Sequence, residues 1–365
     1  MAINPLRGRG ARSNQSGRYE RLAREAFDDG WGEGEIVPIE TIVTPELAKS
    51  IISTNQSPDI SFDQSINPYR GCEHGCIYCY ARPNHAYVGL SPGLDFEARL
   101  FVKTNAAEVL ERTFAKPGYV AKTIMLGGVT DIYQPIERNY QVTRAILGVM
   151  ERWGHPVALI TKSQLVMRDL DVLARLAKRG LAKAAISVTT LDRRIARVME
   201  PRAAAPHRRV EAIRALTEAG VPTTVMAAPI VPAINDSEIE AILEECAKAG
   251  ASAAGYVVLR LPLEIKDLFQ DWLHARFPDR ATRVMALVRQ MRNGRDYDTT
   301  MACEFLRRKL STMGGEVRTA EEFIERIATR SSTTGQLYWV RLSDGRDIPA
   351  GDFLRVELVR LDKTG

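Results

Sequence analysis

The sequence predicts an α/β fold built around a parallel sheet, and three observations lead there. Six short apolar runs recur along the chain, at residues 66–71, 123–129, 156–163, 182–190, 222–231 and 251–261. Amphipathic helical patterns lie between them. Glycines stand where three of those helices would end, at Gly180, Gly220 and Gly250. Strands that alternate with helices pair in parallel, because each crossover returns the chain to the same end of the sheet.

Taken in order, residues 1–40 are rich in Gly, Arg and Ser and lack apolar periodicity, which predicts a flexible arm. Its basic stretch from Arg7 to Arg24 suits either phosphate contact or simple solvation. Residues 41–275 form the expected core. A helix is predicted over Leu165–Lys178, with Leu170, Leu173 and Leu176 or Ala177 at three- to four-residue spacing, and another over Arg208–Ala219, with Val210, Ile213 and Leu216. A third, Ser237–Ala249, follows Asn235 and Asp236, residue types that cap helices. Asp267–Asn293 reads as helical, with Trp272, Phe277, Val284, Leu287 and Met291 as its apolar positions. Residues 276–365 read as a C-terminal extension with two amphipathic helices at 301–315 and 319–330. A hairpin is expected from 336–342 and 353–361. The basic cluster Arg307–Lys309 reads as a solvated helix face or a nucleic-acid contact.

A chain of 365 residues with 45% hydrophobic content buries a full core. Its formal charge of +5 permits an acidic partner without demanding one. Five cysteines without regular pairing exclude a disulfide framework and fit a reducing compartment. The first twenty residues have no apolar signal-peptide region, and nowhere do about 18 apolar residues run together. The expectation is a cytoplasmic protein without a membrane partner.

The chemistry is concentrated in residues 66–87, INPYRGCEHGCIYCYARPNHAY, where Cys72, Cys76 and Cys79 stand in a C-x3-C-x2-C spacing. Such a loop can wrap three thiolates around a four-iron cube and leave the fourth iron without a cysteine. An open coordination position is what a metal centre needs to bind a substrate. The same residues also admit a zinc knuckle with His74 or His85 as the fourth ligand. Structural zinc, however, usually takes two closely spaced ligand pairs, and only Cys76 and Cys79 form one here. Cys246 lies on an apolar helical face and reads as a core thiol; Cys303 is unassigned. Tyr78 and Tyr80 flank the third cysteine, placing a flat ring where a nucleobase could pack.

These residues resemble the radical S-adenosylmethionine (SAM) superfamily, whose signature C-x3-C-x-aromatic-C stands here as Cys72 to Cys79. CxxxCxYCY, with the surrounding residues 57–96, resembles the spore photoproduct lyase-like branch and its uncharacterised bacterial members, and the likeness runs from about Ser53 to about Asp298. The resemblance implies a partial (βα)6 barrel, where the pattern of strands and helices alone would equally suit an open doubly wound sheet. Both geometries put ligands at the carboxyl ends of strands. It also implies a [4Fe-4S] cluster on the three cysteines, SAM on the open iron, and an electron donor such as flavodoxin or ferredoxin.

The remaining site residues are matched strand end by strand end. Gly127 and Gly128 resemble the family's glycine-rich SAM contact, although a plain turn would read the same. Val129 stands where many members carry an acidic residue, so Thr130 or Asp131 is expected to serve instead. Lys162 matches a lysine that pairs with the SAM carboxylate, and Ser187 a serine that holds its ribose or carboxylate. Tyr78 and Tyr80 match the lyase tyrosines and join the cofactor site. Glu200 and Arg202 support this site or form a surface ion pair. Ile234 is placed at the adenine edge and Arg260 on the rim, as a substrate anion contact or a structural arginine.

The implied activity is reductive cleavage of SAM to a 5′-deoxyadenosyl radical, which abstracts hydrogen from a substrate, with nucleic acid one class. Residues 123–135 lack the cysteine with which spore photoproduct lyase returns a hydrogen atom, so repair by that route is not expected. Two other classes fit the motif: an iron–sulfur redox or cluster-carrying protein without SAM turnover, and a zinc-stabilised nucleic-acid-binding module.

Overall fold

A computed structural model describes residues 9–20, 39–55, 62–291, 294–296, 338–342 and 356–360. Two short strands, β1 (Ile42–Glu46) and β2 (Ile52–Thr54), precede the core. The first predicted run, 66–71, is broken: the parallel strand β3 (Gln64–Ile66) ends at its first residue, and β4 (Tyr69–Arg70) lies within it. Asn67-Pro68 causes the split, because proline has no N–H for the ladder and restricts the residue before it. After the cysteine loop comes β5 (Arg99–Lys103). The other predicted runs appear as β6 (Ile124–Leu126), β7 (Val157–Thr161), β8 (Ala182–Ser187), β9 (Thr223–Ile230) and β10 (Ala253–Val258). The predicted hairpin is present as β11 (Tyr338–Leu342) and β12 (Val356–Arg360), paired antiparallel.

The main sheet has the order β11-β12-β10-β9-β8-β7-β6-β3-β2, and β1-β5-β4 form a separate small sheet. From β3 to β10 the six central strands are all parallel and adjacent in chain order. That order decides between the two geometries left open by the sequence. A doubly wound sheet reverses its strand order at a switch point, whereas a barrel winds in one direction with its helices outside. The core is therefore a partial (βα)6 barrel, and the carboxyl ends of its strands form one rim.

Alternation builds its core. In β7, Val157, Leu159 and Thr161 are buried while Ala158 and Ile160 are half-buried. The helix Val142–Trp153 buries Ile146, Leu147, Val149 and Met150 against the same apolar cluster. Each such aliphatic side chain contributes roughly 1.5–3 kcal/mol when fully removed from water.

The predicted helices appear with shifted ends. The first becomes a 3-10 turn, Gln164–Asp169, followed by an α-helix, Leu170–Lys178, and the second runs Pro206–Glu218 with proline at its first turn. Gly180, Gly220 and Gly250 follow their helices with φ of +70°, +78° and +99°, the left-handed conformation that ends helices. The third helix runs Ile239–Lys248, but Asn235 does not cap it. Its side chain instead accepts from Val231 N (2.6 Å) and donates to the carbonyls of Thr189 (2.7 Å) and Pro229 (2.9 Å), tying the β8 and β9 loops together. The long helix expected over 267–293 is two, Ile265–Arg276 and Pro278–Met291, separated at Phe277 because Pro278 cannot continue the first.

The flexible-arm expectation does not hold for residues 9–20, which lie against the cysteine loop with Arg9 and Ala11 buried. Residues 1–8 and 21–38, the helices expected at 301–315 and 319–330, Cys303 and Arg307–Lys309 lie outside the described residues. Among the described residues no helix is long and apolar enough to cross a membrane.

Candidate metal and cofactor site

The cysteine loop leaves β4 at the rim. Gly71 and Gly75 bound its first half with φ of +73° and +66°, a conformation that favours glycine. Space also requires them: a Cβ on Gly71 would lie 2.8 Å from the Phe96 carbonyl, and one on Gly75 2.7 Å from Glu97 Oε2. Behind the loop stands Arg82, fully buried. It donates through Nε to Cys76 O (2.9 Å), through Nη1 to Pro92 O (3.1 Å) and Gly93 O (3.0 Å), and through Nη2 to Gly75 O (3.1 Å) and the Glu97 carboxylate. Those five bonds use all five guanidinium donors, so the buried charge is fully satisfied.

Cys72 and Cys76 are buried, Cys79 is half-buried, and all three are free thiols. Burial raises their pKa values; Asp131 adds to the effect at Cys72 and Glu200 at Cys76. Opposing this, the backbone of Asp131 hydrogen-bonds Cys72 and that of Ala81 hydrogen-bonds Cys79. The Lys162 ammonium favours the thiolates of Cys76 and Cys79. Amide donors on ligand sulfurs and a nearby cation are what metal-bound thiolates need. The donor set fits an iron–sulfur cluster. Each histidine has one ring nitrogen turned to another group. His74 Nδ1 faces Asp131 Oδ2 at 3.3 Å, and His85 Nε2 lies 2.9 Å from Arg99 O. Among the described residues no three His, Cys, Asp or Glu side chains are grouped to hold a single metal ion.

Around the cysteines the rim assembles most of the predicted residues. Tyr80 is exposed, and its hydroxyl donates to Gly128 O, joining the cysteine loop to the glycine loop after β6. Gly127 has φ +93°, and a Cβ there would sit 2.6 Å from Ile160 O. Asn67 holds this loop by accepting from Val129 N (2.8 Å) and Thr130 N (3.4 Å). Val129 packs against Cys72, Ala81 and Phe96. Thr130 is buried and its hydroxyl donates to Tyr69 O (3.4 Å), which leaves its acceptor lone pairs open. Asp131 braces the next strand end instead. It accepts from Thr161 Oγ1 (2.7 Å) and Lys162 N (2.7 Å). Burial opposes its charge, yet His74 and these donors hold its carboxyl down at about 2.

The Lys162 ammonium lies 5.8 Å from the centroid of the buried Tyr78 ring. Tyr78 donates to Glu200, which also accepts from Thr189 Oγ1 (2.7 Å) and pairs with Arg209. Glu200 is therefore no surface ion-pair partner of Arg202: it is buried, and although burial opposes its charge, Arg209 and Lys162 hold its carboxyl at about 2. Arg202 instead pairs with Glu73 at 2.7 Å. Ser187, buried at the end of β8, offers its carbonyl to Arg209 Nη1 (3.1 Å). Ile234 is buried in the apolar cluster that includes Cys76 and Tyr78. Desolvation and the nearby Cys79 raise the Tyr80 phenol to about 12, and Arg260 opposes the rise. Cys246 is fully buried in the core, where burial raises its thiol to about 12. Sequence reasoning missed Asn67, Arg82, Glu97, Thr189 and Arg209. Only the adjacency of Arg82 to the cysteine motif offered a signal.

Comparison with known proteins bears on this site. A sequence model of the radical SAM superfamily matches residues 66–246. An uncharacterised protein of Mycobacterium tuberculosis is 34% identical over 249 residues, 67% of this chain and 73% of that one. This chain belongs to the radical SAM superfamily. Radical SAM membership implies a [4Fe-4S] cluster and SAM. A further uncharacterised relative, from Methanocaldococcus jannaschii, is 26% identical over 191 residues, 52% of this chain and 68% of the other. Among solved structures, a spore photoproduct lyase variant with bound AdoMet and dinucleoside spore photoproduct matches with a TM-score of 0.48 at 16% identity, over 65% of this chain and 66% of that chain. Beyond the radical SAM match, a model for a family of unknown function (DUF5329) covers residues 285–362.

Proposed function

We propose that this radical SAM protein is an enzyme in which Cys72, Cys76 and Cys79 hold a [4Fe-4S] cluster and the rim around Lys162 holds SAM. One observation carries the reading: beside two buried thiols and a half-buried one lies a half-buried ammonium with no carboxylate in ion-pair range among the described residues. A cation partly withdrawn from water gains from an anion beside it, and a ligand carboxylate would supply one.

The other residues take roles consistent with their placement. Carbonyls of the Gly127-Gly128 loop accept from the SAM amino group; the bond from Tyr80 leaves Gly128 O a second lone pair. Ser187, at the end of β8, is assigned to the ribose or carboxylate. Tyr78, fixed by Glu200 and Thr189, forms an apolar wall beneath Lys162 and excludes water. Thr130 serves through the backbone it braces. Together, a [4Fe-4S] cluster and SAM supply one-electron cleavage of the sulfur–C5′ bond and a hydrogen-abstracting 5′-deoxyadenosyl radical. An external donor of the flavodoxin or ferredoxin type is proposed to supply the electron. The exposed ring of Tyr80 beside Arg260 favours a planar, anionic substrate, as nucleic acid offers.

The test is anaerobic reconstitution followed by dithionite and SAM, with the nucleoside products separated. Formation of 5′-deoxyadenosine is expected. A fully loaded cluster that releases none, and whose EPR spectrum ignores SAM, would favour a redox or cluster-carrying protein. Zinc without iron or sulfide would favour the zinc-stabilised module.

A further inference from the structure

We infer that the N-terminal segment around Arg9–Ala11, together with the buried Arg82–Glu97 pair, positions the cysteine loop. The inference rests on the reading of that loop as the cluster site. Glu97 is fully buried and faces Arg82 from one side. From the other side Gly10 N and Ala11 N donate to its two oxygens, at 2.9 and 2.8 Å. Arg9 continues the attachment through Nη1 to Glu97 O (2.7 Å) and through Nη2 to Ile39 O (2.7 Å) and Thr41 Oγ1 (2.9 Å). Thr41 donates in turn to Glu73 Oε1 (2.6 Å), between the first two cysteines.

Contact with the loop is also direct. A Cβ on Gly10 would stand 1.8 Å from Gly75 O, so the segment lies on the loop backbone with no room for a side chain. Ala11 packs in the apolar cluster that contains Cys76. Farther along, Asn14 and Asp95 exchange two hydrogen bonds, and Arg18 pairs with Glu264 at 2.6 Å, beyond β10. The segment thus ties the loop after the first parallel strand to the loop after the last. Lifting it off would leave a buried carboxylate short of two donors and free the backbone at Gly75 to move. Arg9, Gly10, Arg82 and Glu97 are therefore positioning residues, acting on the cluster through the loop.

Amide hydrogen exchange on the metal-free, full-length chain reads this directly, with Gly10→Ala and Arg9→Ala as variants. Exchange in residues 72–82 is expected to quicken by about tenfold or more in both, with β7 and β9 unchanged as internal controls. After anaerobic reconstitution, the variants should bleach faster in air and show an altered EPR line shape for the reduced cluster. If Gly10→Ala also loosens β7 and β9, Arg9→Ala decides by the same readouts. Unchanged exchange at 72–82 with an unchanged EPR spectrum would overturn the inference. Exchange is measured without metal or SAM, so its failure leaves the proposed SAM cleavage untouched, and failure of SAM cleavage leaves the exchange result standing.

Discussion

Lys162 is held by opposing demands. Its backbone N–H is fixed to Asp131, its ammonium leans over Tyr78, and Cys76, Cys79 and Glu200 all feel its charge. Removing it leaves the three thiols in place but would deprive the proposed SAM carboxylate of its cation. Lys162→Ala should therefore keep full iron and sulfide content and weaken SAM binding by about 10- to 100-fold, the value of one charge-assisted hydrogen bond. Equilibrium dialysis with the loaded protein checks this, and unchanged affinity would remove Lys162 from the site. Cys76→Ala should instead abolish four-iron loading, because two loop thiolates cannot hold the cube; iron and sulfide analysis reads it. The cysteines were legible because three ligands within eight residues form a local pattern. Arg82 and Glu97 were not, since fifteen residues separate them and their pairing depends on a buried turn that no periodicity marks. Thr130 was singled out by its position in the motif; its hydroxyl donates to Tyr69 O, a contact that no local pattern announced.

At the scale of the element, the 3-10 helix Arg82–Val88 locks the cysteine loop from behind through Arg82 and His85. His85 sits edge-on to Phe96 at 5.6 Å, and its Nε2 meets Arg99 O. Burial lowers its pKa from 6.5 to about 4; the hydrogen bond to Arg99 O and the charge of Asp95 pull it up, and Arg82 pushes it down. Above pH 6.5 the ring is neutral both folded and unfolded, so its contribution is fully present. As pH falls from 6.5 towards 4 the unfolded chain takes up a proton that the folded chain refuses, and stability is lost. The loss amounts to about 3 kcal/mol. Urea unfolding of the metal-free chain at pH 7 and pH 4 should show that drop, reduced by about the same amount in His85→Gln. An identical pH slope in the variant would contradict it. Five of the six parallel strands, β6 to β10, were readable as apolar runs because both of their faces are covered; β3, Gln64-Ser65-Ile66, meets the predicted run only at Ile66. By contrast β1 is largely exposed, with Ile42 at 58%, and pairs in parallel with β5 across more than fifty residues, so nothing local announced it.

For the whole molecule, a partial barrel leaves two open edges, and this chain covers both with antiparallel strands. On one side β2 pairs with β3; on the other β12 pairs with β10 at Ala253–Glu357 and Ala254–Val356, and β11 follows outside it. Residues 338–342 and 356–360 were readable as a hairpin from their own apolar runs. Their addition to the barrel sheet was not, because the partner on β10 lies about a hundred residues away and the contact is made through backbone, which carries no sequence signature. A hairpin so placed blocks the row of unpaired N–H and C=O groups that an edge strand presents to other chains. Ending the chain after residue 296 removes that cover and leaves the rim residues Cys72–Ser187 in place. The truncated protein should therefore still load iron and bind SAM, while its sedimentation becomes concentration-dependent through pairing at β10. A truncated chain that sediments with the same concentration dependence as the full chain, at matched loading, would show that the β10 edge needs no cover. Loss of iron loading without self-association would instead mean that the C-terminal strands act on the cluster rim, which their position at the far side of β10 does not predict.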